Sequence, residues 1–174
     1  MPTLQVDSLQ FTFAPEVAAE LYDKWQHYAV ALSHAGKKAM DVVAVENPAA
    51  PSVTWLIEAK DFRMPYPPIP SKIAGLAQTV ADKTTDTLDG LSHASTNATV
   101  ASEKRHSSIA LSAPAKRVVL HLEPHVGPHS ALFPVGFPAS VLQRLRQLVK
   151  SIDPNPLVLN IANTATAGVP WSVG

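Results

Sequence analysis

VTWLIEAKDF, residues 53–62, is the stretch from which the fold is read. It is rich in β-branched and aromatic residues. NPAAPS (47–52) bounds it on one side and the proline-rich RMPYPPIPSK (63–72) on the other, so it predicts a strand. Side chains on a strand alternate between its faces. Val53, Trp55, Ile57 and Ala59 therefore share one face, and Thr54, Leu56, Glu58 and Lys60 share the other. The preceding KAMDVVAVE (38–46) also reads as a strand, with Asp41 on the face of Val43 and Val45. The short turn between the two predicts an antiparallel hairpin. Its charges fall where the pattern predicts burial. A buried carboxylate is costly unless a cation or a hydrogen-bonding partner meets it. Two carboxylates brought together by a hairpin repel each other unless a metal or a lysine sits between them.

Working outward, TLQVDSLQFTF (3–13) reads as a strand or extended arm. Between Pro15 and about His34, Val17, Leu21, Trp25, Tyr28 and Leu32 recur every three or four residues, which predicts a helix with Pro15 in its first turn and Gly36 as its stop. After the hairpin, RMPYPPIPSK is an extended loop that cannot sit inside a sheet. Residues 72–92 predict a helix through Ile73, Leu76, Val80, Leu88 and Leu91. Residues 93–115, rich in Ser, Ala and Thr without a clear period, read as a loop or a weak helix extension. RVVLHLE (117–123) is a strand, 125–138 a loop, 138–152 an amphipathic helix and PLVLNIA (156–162) a last strand before the tail GVPWSVG. No internal repeat is visible. The order strand, helix, hairpin, helix, strand, helix, strand predicts one α/β domain over residues 1–174, a mixed β-sheet flanked by helices.

Composition sets limits on function. Hydrophobic residues make up 46% of the 174 and charged residues 16%, the proportions of a globular domain with a real core. There is no cysteine, which excludes disulfides and thiolate metal sites and suits a reducing compartment. MPTLQVDSLQFTF (1–13) lacks the pattern of a signal peptide, and no apolar run reaches the length of a membrane span. The expected location is cytoplasmic, with no membrane partner. Net charge is zero, from 14 basic and 14 acidic residues, which argues against holding nucleic acid by bulk charge alone. The charges are uneven, however. Residues 1–89 carry 11 acidic and 7 basic side chains, and residues 90–174 carry 3 and 7. An acidic half with a metal site and a basic half that holds phosphates would suit a nuclease, and a small accidental imbalance is the bland alternative.

Asp41, Glu58 and Lys60 support a specific chemistry. Two carboxylates bind a hard divalent cation such as Mg²⁺ or Mn²⁺ through oxygen. The metal polarises a phosphodiester and lowers the pKa of a bound water. A lysine one strand-step away can orient or deprotonate that water and offset developing charge. Burial and Asp41 are expected to raise the pKa of Glu58, and Lys60 to lower it. The competing readings are an edge hairpin with solvated charges and a structural Glu58–Lys60 pair.

Asp41, followed after sixteen residues by Glu58-Ala59-Lys60, resembles the signature of the PD-(D/E)XK nuclease superfamily. The resemblance covers about residues 14–124 and implies a restriction-endonuclease-like core with a C-terminal helix–strand extension. It implies that Asp41 and Glu58 are metal ligands, with the Ala59 carbonyl as a further candidate, and that Lys60 is catalytic. Members often add a glutamate from the first helix, and Glu20 is the candidate here. The implied activity is a Mg²⁺- or Mn²⁺-dependent phosphodiesterase acting on DNA or RNA, DNA favoured. The alternative is the same fold holding nucleic acid or a protein partner without cleaving it. A homodimer is left open. Met40 stands where the family name has proline, and the strand that usually separates the first helix from the hairpin is not evident, unless the N-terminal strand takes its place.

Other residues carry weaker signals. Gln78 and Lys83 lie on the helix after the hairpin, where Lys83 either reaches a phosphate or belongs to a solvated face. His121, Glu123, His125 and His129 form the run HLEPHVGPH. They read as a zinc hydrolase site, as substrate contacts or as plain strand-end histidines. Lys104-Arg105-His106 and Lys116-Arg117 read as a phosphate patch or as solvated loop ends.

Overall fold

The computed structural model describes residues 1–63 and 69–174. Among the described residues, eight strands form two sheets. The larger runs β3 (Val17–Leu21), β4 (Val42–Glu46), β5 (Val53–Asp61), β6 (Ala115–Glu123), β7 (Leu157–Leu159) in that order. β4 runs antiparallel to both β3 and β5, while β6 and β7 run parallel to β5. The smaller antiparallel sheet joins β1 (Thr3–Val6), β2 (Leu9–Phe13) and β8 (Trp171–Val173). The expected mixed sheet flanked by helices is present.

Helices cover one face of the large sheet and the small sheet covers the other. On the helix face, Met40, Val43, Val45, Leu56, Val118 and Leu120 are buried with Val80, Leu91, Leu145 and Val149. These come from α2 (Leu76–Asn97) and α4 (Phe137–Val149). On the opposite face, Val42, Ala44, Trp55, Ile57, Ala59 and Val119 meet Leu9, Phe11, Phe13 and Trp171. The hairpin's alternation thus separates two cores, and both faces of β4 and β5 are dry.

The helix expected over Pro15 to His34 is not formed. Residues 17–21 are strand β3, followed by short helical turns at Tyr22–Lys24, Tyr28–Leu32 and Ser33–Ala35 that end at Gly36 with φ 74°. The cause is backbone hydrogen bonding. Val42, Val43, Ala44 and Val45 are fully buried, so β4 needs a partner along each edge. β5 supplies one and residues 17–21 the other, in the register Val17↔Glu46 to Leu21↔Val42. Val17, Tyr22 and Trp25 still reach the core, which is why their spacing imitates a helix.

Residues 93–115 are more ordered than their composition suggests. α2 continues to Asn97, and α3 (Ala101–Ser112) follows. The buried side of this pair is built from Ala94, Ala98, Ser107 and Ala110. Small side chains let the two helices and the sheet approach closely while leaving no large apolar period to read. Residues 64–68, half of the loop expected at 63–72, lie outside the described residues, and Pro70 opens a short helix, α1 (Pro70–Ala74). The last expected strand is shorter than 156–162. Asn160 ends it and caps α5 (Ile161–Thr164) through a reciprocal hydrogen-bond pair with Asn163.

Candidate active site

The register that pairs Val42 with Ile57 and Val43 with Leu56, continued by one residue, sets Asp41 against Glu58. Both face the helix layer. Glu58 is fully buried. Asp41 Oδ2 accepts a hydrogen bond of 2.8 Å from the Ala59 amide, which fixes that carboxylate against β5. From β5, Lys60 places its ammonium 2.6 Å from Glu58 Oε1. From α2, the Lys83 ammonium donates to both Glu58 oxygens at 2.7 and 2.8 Å and lies 3.7 Å from Asp41 Oδ1. The two carboxylates therefore converge on one nitrogen, and the site gathers two carboxyl groups and two lysines.

Burial raises the Glu58 pKa, Asp41 adds to the rise, and Lys60 and Lys83 oppose it. This is the expected direction, with Lys83 as an additional cause. Burial disfavours the charged form of Lys60, but its attraction and hydrogen bond to Glu58 outweigh that, so its pKa is raised. The solvated edge hairpin is ruled out by the burial of both strands.

Asp41, Glu58 and Lys60 are brought together, and Lys83 joins them. Neither reading of Lys83 from sequence anticipated its link to the carboxylates; only the packing of α2 over β5 reveals it. Gln78, by contrast, donates to Asp82 on its own helix. Glu20 lies on β3 and not on a helix, and its near neighbour is His106, with Oε1 3.5 Å from Nδ1. Among the described residues, no group of three or more His, Asp or Glu side chains is placed to hold a metal ion.

The histidine run lies elsewhere. His121 shares the sheet face of Ala59 and packs edge-on against Phe11 at 5.4 Å between ring centroids. Its Nε2 is 2.9 Å from Glu123 Oε1, which also accepts from the Ile161 amide. His125 Nδ1 donates to the Phe62 carbonyl, and the His125 and His129 rings stand 5.6 Å apart. Burial lowers the His121 pKa. Lys104 and Lys116 donate to backbone carbonyls, and Arg117 to Asp153 and the Asn155 carbonyl, so no shared phosphate patch forms from them.

No family model matches the chain, and no solved structure matches it. A cysteine–tRNA ligase of Neisseria meningitidis serogroup A is 27% identical over 213 aligned positions, covering 99% of this chain and 30% of the relative. The chain thus spans less than a third of that protein. Among the described residues, no helix is long and apolar enough to cross a membrane.

Proposed function

We propose that Asp41, Glu58 and Lys60 form a metal-dependent phosphodiesterase site of the PD-(D/E)XK type, acting on nucleic acid. The observation that supports this is the convergence of Asp41 and Glu58, on adjacent strands, upon one point occupied by a cationic nitrogen, with Lys60 beside it. The residues fit Mg²⁺ or Mn²⁺. Asp41 and Glu58 both offer hard oxygen donors, and Mg²⁺ is commonly held by one or two carboxylates with water and phosphate oxygens completing its shell. When bound, the metal would supply a polarised phosphodiester and a more acidic water. Asp41 keeps its orientation through the Ala59 amide, and the dry surroundings of Glu58 strengthen its interaction with any cation. Lys60 stays at the site's edge, where its ammonium can orient the attacking water and meet charge developing on phosphorus.

The test is cleavage of plasmid, single-stranded DNA and RNA substrates with Mg²⁺ or Mn²⁺, with Lys60→Ala as control. The relative is named as a ligase acting on tRNA, so tRNA belongs among the RNA substrates, beside the DNA that the resemblance favours. Metal-dependent cleavage lost in Lys60→Ala supports the proposal.

One observation favours a second reading. Lys83 already bridges the carboxylates at the position a metal would share. A site neutralised in this way suits a nuclease-like fold that binds nucleic acid or a protein without cutting. Failure of Mg²⁺ and Mn²⁺ to bind at millimolar concentration would favour that reading.

A further inference from the structure

Away from the paired carboxylates, edge strand β3 and α3 enclose a pocket of about 420 Å³, the size range of small-molecule sites. Ala18, Pro48 and Ile109 supply apolar walls. Glu20, Arg105 and His106 supply its charged and titratable groups, and Ala101 and Ser102 bring the first turn of α3 to its lining.

The hydrogen bond of His106 fixes what that residue offers. Its Nε2 lies 3.2 Å from the Val43 carbonyl, which can only accept, so Nε2 carries the proton. Burial holds the His106 pKa down to about 4, so the ring is neutral near pH 7 and Nδ1 is a bare acceptor. That acceptor faces another, Glu20 Oε1, at 3.5 Å. His106 is 5% exposed, which makes this a built arrangement. Two acceptors aimed at each other call for a donor between them. Burial raises the Glu20 pKa, the nearby Trp25 indole opposes the rise and Glu103 adds to it; among the described residues the indole N–H makes no hydrogen bond of regular geometry.

The other lining groups have the opposite character. Arg105 is a cation. α3 is twelve residues long and begins at Ala101, and Val100 before it provides no side-chain cap, so its first amides are free to meet an anion. Neighbouring charges are engaged elsewhere: Glu103 accepts from the Gln26 and His27 amides, and Lys104 donates to the Thr96 carbonyl. A simple anion would leave the two acceptors unsatisfied, and a simple cation would face Arg105.

We propose that this pocket binds a small zwitterion of the α-amino-acid class. The ammonium sits against Glu20 and His106 Nδ1, the carboxylate against Arg105 and the first turn of α3, and the side chain against Pro48 and Ile109.

The test is titration of the full chain with the individual free amino acids, followed by amide NMR shifts. Acetate, methylamine and inorganic phosphate serve as half-ligands. The expected result is saturable binding of at least one amino acid, with shifts centred on β3 and α3, and far weaker binding of each half-ligand. Arg105→Ala, a change at an exposed position, and Glu20→Gln should each weaken that binding by roughly tenfold or more, the loss of one charge-assisted hydrogen bond. Overturning results are no saturable binding by any amino acid, half-ligands binding as well as the best amino acid, or unchanged affinity in Arg105→Ala.

Discussion

The ammonium of Lys83 lies 2.7 and 2.8 Å from the two carboxylate oxygens of Glu58, joining α2 to the middle of the large sheet through a fully buried acid. Replacing Lys83 by methionine keeps much of the side chain's volume and removes the charge. Glu58 then retains Lys60 alone. The expected loss of stability is about 2–3 kcal/mol, the value of a hydrogen bond to a charged group. If the proposed metal site is correct, Lys83→Met binds Mn²⁺ more tightly than the unaltered protein, and Mn²⁺ restores part of the lost stability. Thermal unfolding with and without the metal reads both effects. A variant with reduced stability that ignores Mn²⁺ would count against a shared cation position.

Lys60 separates catalysis from neutralisation. Under the proposed activity, Lys60→Ala abolishes phosphodiester cleavage while metal binding and folding stay close to those of the unaltered chain, because the loss falls on the transition state. If Lys60 only balances buried charge, the substitution costs roughly 3–5 kcal/mol and Mg²⁺ does not recover it. Cleavage rates and unfolding midpoints, measured on the same preparation, distinguish the two.

His106 sets an acid limit on stability. Its pKa is held to about 4 by burial, against an ordinary value of 6.5. Between those values the unfolded chain binds the proton and the folded chain does not, so stability falls as pH drops from 6.5 towards 4. The full effect is about 3 kcal/mol for a shift of this size. Asp61 acts at lower pH. Its hydrogen bond from Arg63 leads the causes that bring its pKa to about 2 from 3.8, so its contribution is present above 3.8 and is lost as pH falls towards 2. Denaturant titrations at successive pH values should show two descending segments. His106→Gln should flatten the first and leave the second in place, and an unchanged upper segment would remove His106 as its cause.

Gly90 is tied to a single hydroxyl. A Cβ at this position in α2 would stand 2.1 Å from the Tyr22 hydroxyl oxygen and 2.8 Å from Leu32 Cδ1. Gly90→Ala should therefore destabilise the protein by about 1–3 kcal/mol, the usual cost of overpacking, despite alanine's better helix propensity. Among the described residues, the buried Tyr22 hydroxyl has no hydrogen-bond partner. Tyr22→Phe removes the nearest clash without breaking a bond, so the double variant should recover part of the loss. Strict additivity of the two substitutions would disprove this coupling.

The hairpin, the 72–92 helix, the strand at 117–123 and the last long helix were legible because each has a strong period in large apolar residues. β3 was not, because its short VAAEL run continues into Tyr22 and Trp25 at spacings that also suit a helix. Pairing along the buried edge of β4 overrode that spacing. α3 is hidden because a glutamate, a histidine, a serine and an alanine form its buried side. β8 was hidden because WSV is too short to read alone and gains its partner from β2, at the other end of the chain. At the site, alternation sets Glu58 beside Lys60 and Asp41 beside Val43 and Val45, and the hairpin register brings the two sets to one face. The role of Lys83 depends on how far α2 lies from β5, which no local pattern contains. Glu20 reads as helical along with the segment around it, and its contact with His106 rests on the same long-range pairing.

β5 has a further consequence. It is the middle strand of five, bordered by β4 on one side and β6 along its whole length on the other, with a core on each face. Amides in such a position exchange with solvent only through the rarest and largest openings of a protein. The amides of Glu58 and Ala59 should therefore be among the last to take up deuterium, while those of α5 and the 125–136 segment exchange early. Glu58 hangs from that strand and the Asp41 carboxylate is bonded to its Ala59 amide, so the geometry of the pair is held in place by the stability of the whole domain.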